Sequence, residues 1–139
     1  MKNEPLVIER TYDAPVEKIW AALTDPAKMK QWYFDVPGFK PETGNIFTFE
    51  AGSKTQQYLH ECRVTKAVPN EIIAYTWRYP AVEGISEVSF ELFSEGEKTR
   101  LVLTHSGLET FPQTGAYARE NFVGGWTQFT GALADFVAK

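Results

Sequence analysis

The sequence predicts an α+β domain. An antiparallel meander makes up a sheet of about six strands, two short helices follow the first strand, and one long helix closes the chain. Two observations carry this reading. Successive segments alternate apolar and polar residues at the strand period, and those in the middle of the chain are joined by short turns. The last segment then switches to steps of three and four residues, the apolar stripe of an amphipathic helix. A length of 139 residues fits one domain, spanning 1–139, and leaves no room for a second.

Each element has its own signal. Leu6 to Tyr12 alternates and reads as a strand, which Asp13-Ala14-Pro15 ends. Pro15 suits the first turn of a helix, where Val16, Ile19, Trp20 and Leu23 keep helical spacing. Thr24-Asp25-Pro26 stops that helix and starts another, with Met29, Trp32 and Tyr33 on one side. Pro37, Gly38, Pro41 and Gly44 mark a loop. Strands follow. Ile46 to Ala51 sets Phe47 and Phe49 on one face. Tyr58 to Val68 sets His60, Cys62 and Val64 against Glu61, Arg63 and Thr65. After a turn at Pro69-Asn70, Ile72 to Trp77 groups Ile73, Tyr75 and Trp77. Glu87 to Phe93 turns Val88, Phe90 and Leu92 inward; beyond a hairpin at Gly96, Thr99 to His105 does the same with Leu101, Leu103 and His105. One apolar sheet face needs cover, and the terminal stripe of Phe122, Trp126, Phe129, Leu133, Phe136 and Val137 is the long element available. Gly124, Gly125 and Gly131 interrupt it, each at about 1 kcal/mol relative to Ala. They are expected to admit a close approach of the sheet or a kink.

Composition narrows the function. Fourteen Lys and Arg against eighteen Asp and Glu leave a net charge of −4, which disfavours a nucleic-acid partner. No apolar run reaches membrane-spanning length, and the N-terminus lacks the features of a secretion signal. The lone Cys62 forms no internal disulfide, so a cytoplasmic setting is expected. Aromatics are abundant, with four Trp, six Tyr and ten Phe, enough for a dense core or for the lining of an apolar pocket.

The chemical candidates are few. His60 and His105 both face inward but lie about 14 Å apart across three strand spacings, too far to share a metal. His105 reads either as a polar residue satisfied by backbone or by Ser106, or as a handle at a cavity mouth; His60 reads similarly. Cys62 shares a strand face with His60, yet a buried free thiol ordinarily behaves as a small hydrophobe. Gly124-Gly125-Trp126 lacks the Lys and Ser/Thr of a phosphate-binding loop, and no serine sits in a nucleophile elbow.

The stretch Ala14-Pro15-Val16-Glu17-Lys18-Ile19-Trp20-Ala21-Ala22-Leu23-Thr24-Asp25-Pro26, followed by Trp32-Tyr33, resembles the opening of the SRPBCC (START-like, birch-pollen-allergen-like) superfamily. Three later pieces are similar to its branch of activator of Hsp90 ATPase homologues. They are Val68-Pro69-Asn70-Glu71 with Tyr75-Thr76-Trp77, then Leu103-Thr104-His105-Ser106-Gly107-Leu108, then Gly125-Trp126. The resemblance implies a helix-grip fold: a curved sheet wrapped around the C-terminal helix, with an apolar cavity between them. The strands would then supply Phe47, Phe49, Trp77, Val88 and Phe90 to that cavity, and the helix Phe122 and Phe129. Tyr58, His60, Tyr75 and His105 would be its polar groups, with Tyr75 or Tyr58 orienting a ligand. The leading expectation is a binding module for a small apolar or aromatic molecule, with no cofactor, no metal and no assigned catalytic residue. The alternative is a co-chaperone-like interaction domain with a chaperone partner. A third reading is a cyclase- or hydratase-type enzyme using His60, His105 or Tyr75 in general acid–base roles. The eukaryotic chaperone activator carries an upstream domain, whereas this sequence opens at its first strand, so stimulation of a chaperone ATPase is expected to be weak or absent.

Overall fold

Proline punctuates the first quarter of the chain. β1 (Leu6–Tyr12) gives way to α1 (Val16–Thr24), whose N-cap is Pro15; its carbonyl accepts from the N–H groups of Lys18 at 3.0 Å and Ile19 at 3.3 Å. Asp25 ends α1 and caps α2 (Pro26–Trp32), its carboxylate accepting from Ala27 N–H at 3.0 Å. Pro26 takes the first helical position, where a missing N–H costs nothing. Tyr33 lies just past the helix, at the C-cap, rather than on its last turn. The structure is a computed structural model, and it describes residues 4–52, 56–113 and 115–138.

The remaining strands are β2 (Ile46–Gly52), β3 (Gln57–Val68), β4 (Ile72–Trp77), β5 (Ser86–Glu95) and β6 (Lys98–Ser106). They form one antiparallel six-stranded sheet in the order β1-β6-β5-β4-β3-β2. From β2 to β6 the chain meanders between neighbours. β1 departs from that order and pairs with β6, setting Leu6 opposite His105. Asn70 (φ 65°) and Gly96 (φ 73°) take the left-handed conformation that their tight turns require. A register shift between Val64 and Lys66 interrupts the β3–β4 ladder, and a bulge of this kind bends a strand. The sheet is accordingly open and curved.

The alternation of burial follows the pleat. Phe47 and Phe49, His60 and Cys62, Val88 and Phe90, and Leu101 and Leu103 are buried, while their neighbours face outward. Two short 3₁₀ turns, Leu108–Thr110 and Gly115–Tyr117, lead to α3 (Arg119–Val137), which lies along the buried face. Its Trp126 ring sits 5.4 Å from Trp77 and 5.7 Å from Phe90, and Tyr12 Oη donates to the Thr130 carbonyl at 2.9 Å. This is the helix-grip arrangement.

The helix glycines depart from expectation. A Cβ placed on Gly124 or Gly125 would meet nothing within 4 Å, and one on Gly131 would meet only the Arg10 side chain at 3.8 Å. The sheet does not approach the helix backbone closely at these positions. Among the described residues no helix is long and apolar enough to cross a membrane.

Candidate functional site

A cleft opens between the β3–β4 side of the sheet and the first half of α3. Its helix-side compartment, about 140 Å³, is lined by Phe34, Trp77, Tyr79, Phe122, Gly125, Trp126 and Phe129, with Asn121 at its margin. The strand-side compartment, about 420 Å³, is lined by Ala51, Tyr58, His60 and Tyr117 together with residues of the first. Phe34, Tyr79, Asn121 and Phe129 border both spaces, so the two adjoin. Phe34 projects from the segment joining α2 to β2; its ring stacks on Phe49 at 4.4 Å and meets Phe129 edge-on at 4.8 Å. Tyr79 stands just beyond β4, where its hydroxyl accepts from Trp77 Nε1–H at 3.0 Å. Burial pushes that hydroxyl's pKa up to about 12, so it stays protonated. The polar part of the lining is sparse and the walls are aromatic.

The two histidines adopt opposite tautomers, as their partners dictate. An indole N–H can only donate, so His105 Nδ1, 2.9 Å from Trp126 Nε1, must accept. Burial pulls the His105 pKa down to about 3, leaving the ring neutral with its proton on Nε2. Nε2–H then donates to Ser86 Oγ at 2.7 Å, and Ser86 donates onward to the Trp77 carbonyl at 2.9 Å. Ser86 and His105 therefore resemble a nucleophile–base pair only in composition. The serine proton runs away from the histidine, and the ring has no free lone pair to receive it. His60 is the reverse. Its Nδ1 lies 2.8 Å from the Tyr58 carbonyl, which can only accept, so Nδ1 carries the proton. Burial lowers the His60 pKa to about 4, although hydrogen bonds to the Tyr58 and Phe49 carbonyls oppose the shift. Burial likewise pushes the Cys62 thiol far above its ordinary range, the opposite of what a nucleophile needs. Among the described residues no group of three His, Cys, Asp or Glu could hold a metal ion.

A family model described as Activator of Hsp90 ATPase homolog 1-like protein matches residues 13–138. The chain belongs to this family. Its SRPBCC-type fold recurs in solved structures. Protein MLL2253 from Mesorhizobium loti is 29% identical over 97% of each chain, with a TM-score of 0.77. CalU16 from Micromonospora echinospora is 26% identical, covering 96% of this chain and 75% of its own, with a TM-score of 0.74. Protein CV1439 from Chromobacterium violaceum is 23% identical over 100% of this chain and 99% of its own, with a TM-score of 0.84. A comparison with the curated proteins gave no match.

The residues singled out in the sequence divide between two places. Tyr58, His60, Trp77, Phe122 and Phe129 line the cleft. Phe49 stands behind it, stacked on His60 at 4.5 Å. Phe47, Tyr75, Val88, Phe90 and His105 lie in the packed interior. Tyr75 Oη shares a 2.7 Å hydrogen bond with Tyr33, and Phe90 borders only a void of about 10 Å³ beneath Trp126. His105 is satisfied by Ser86 and Trp126, not by Ser106. Strand alternation cannot tell these groups apart, because it marks the inward face along its whole length. The open end is the one where α3 presents Gly125, while Trp32, Trp126 and Leu133 fill the other. Phe34, Tyr79, Tyr117 and Asn121 escaped the sequence reading, and Gly125 was read as a helix interruption rather than as part of a site. Phe34 directly follows Trp32-Tyr33, and that run of three aromatics entering a loop was the available signal.

Proposed function

We propose that the protein is a binding module that holds one small apolar or aromatic molecule in the cleft between β3–β4 and α3. One observation carries the reading: an aromatic-walled space stays open where the helix places Gly125, and the missing side chain would have met no neighbour within 4 Å. Glycine there costs helix stability, roughly 1 kcal/mol, with no packing gain inside the protein to offset it. The helix-side compartment, about 140 Å³, is close in size to an engineered apolar cavity that stays dry and binds benzene. The adjoining space of about 420 Å³ falls in the usual range for small-molecule sites. A bicyclic aromatic burying roughly 200 Å² of apolar surface would gain about 5 kcal/mol. Binding is favoured over catalysis because His105 and Tyr75 are already committed to internal partners. His60, with a pKa near 4, is a weak base at neutral pH. The single buried free thiol, which forms no disulfide, is in keeping with a cytoplasmic setting.

Titration with N-phenyl-1-naphthylamine tests the reading. Saturable one-to-one binding is expected in the wild type, with loss of binding in Gly125→Leu while the melting temperature holds or rises. Absence of binding in the wild type, or equal binding in the variant, would sink it.

A second reading is a co-chaperone-like interaction domain. On the outward sheet face Ile46 and Ile85 are 60% and 52% exposed and line a common depression beside the Glu61–Arg78 ion pair. Exposed aliphatic side chains with a charged rim suit a protein partner.

A further inference from the structure

We infer that Nε2 of His60 is the hydrogen-bond acceptor of the cleft, and that the ligand is a planar aromatic bearing a hydroxyl or N–H donor. This rests on the cleft being a binding site and specifies the class of molecule it selects. Nδ1–H is spent on the Tyr58 carbonyl, so the neutral ring offers a bare lone pair at Nε2. The Phe49 carbonyl, the other backbone group beside the ring, can only accept and so competes for the same Nδ1–H, and no donor to Nε2 is found among the described residues. The ring borders the open space of the strand-side compartment, although the residue as a whole is only 5% exposed.

The ring is held rigidly as well as aimed. It stacks on Phe49 at 4.5 Å with an interplanar angle of 11°, while Trp77 at 5.1 Å meets it near the perpendicular and Tyr79 at 4.8 Å meets it at 61°. An acceptor that cannot turn away discriminates by what it leaves unpaired. A guest with a donor recovers the hydrogen bond that water makes in the free protein, whereas a guest without one displaces that water and leaves the lone pair empty. The walls set the rest of the class. Phe34, Tyr58, Tyr79, Tyr117 and Phe129 present flat faces and edges, which suit a flat guest.

The test compares 2-naphthol with naphthalene and 2-methoxynaphthalene by calorimetry, together with ¹⁵N NMR of the histidine rings. The wild type is expected to bind 2-naphthol about tenfold more tightly than either analogue. The His60 Nε2 resonance should move on titration while both His105 nitrogens stay in place. His60→Phe keeps the stack on Phe49 without the lone pair, and its three affinities should converge to within about twofold. If that variant does not fold, the wild-type NMR titration decides. Equal affinities in the wild type with an unmoved His60 resonance, or a naphthol preference that survives in His60→Phe, would overturn the inference and leave the cleft as a binding site. Failure of all three molecules to bind would overturn the binding function along with it.

Discussion

His60 and His105 show how much of a residue's chemistry is set by what surrounds it. Both occupy inward positions of regular strands, and both are buried and neutral. Their protons sit on different nitrogens because a carbonyl faces one ring and an indole N–H faces the other. Stability should depend on pH through both. Their folded pKa values, about 4 and about 3, lie below the ordinary 6.5, so the unfolded chain binds more protons in that interval. The contribution is full above pH 6.5 and is lost as the pH falls through 6.5 toward 4 and 3. Each histidine adds a slope of up to about 1.4 kcal/mol per pH unit. Urea melts between pH 7.5 and 4.5 should show this loss, and His60→Phe should flatten the curve. A variant as acid-sensitive as the wild type would refute the assignment. Inward orientation was legible from alternation alone. The tautomers were not, since they depend on Tyr58, Ser86 and Trp126, and Trp126 lies 21 positions from His105.

At the scale of elements, α3 does two jobs along its length. Its second half seals the sheet with Leu133 and Val137, and its first half bounds the cleft with Phe122, Gly125 and Phe129. Trp126 sits where the two meet. Trp126→Ala is expected to destabilise by about 3–5 kcal/mol, the usual range for emptying a large aromatic site. It would also strip His105 Nδ1 of its donor. A loss below 1 kcal/mol in urea melts would mean that the stripe does not hold the sheet. Gly124 gives the opposite expectation. It is exposed and a Cβ there meets nothing, so Gly124→Ala should stabilise by about 0.5–1 kcal/mol through helix propensity alone. A drop in melting temperature would contradict that account. The helix itself was plain from the spacing of its apolar residues. The close approach of the sheet expected at its glycines is not there, because a sequence does not reveal whether the space beside a glycine is full or empty.

For the molecule as a whole, the two faces of the sheet make competing claims on function. The concave face carries the aromatic cleft, and the outward face carries Ile46 and Ile85. If the cleft is the functional site, the protein at equimolar ratio should leave the ATPase rate of a cognate Hsp90-type chaperone within about twofold of its basal value. A strong stimulation that Ile46→Lys abolishes would move the function to the outer face.

By itself the sequence determined the elements and the inward face of each strand, because pleat, helical period, proline punctuation and turn residues are local properties. It also carried enough of the Ala14–Pro26, Val68–Trp77 and Leu103–Leu108 pieces to point to the family. Tertiary structure alone decided that β1 leaves the meander to pair with β6. It decided that Phe34 swings from a loop onto Phe49 and Phe129, and that the open space lies beside Gly125 rather than above Phe90. The physical reason is common to all three. Each is a relation between residues far apart in the chain, a strand pairing, a ring contact or the volume left after distant side chains have packed, and no segment encodes such a relation on its own.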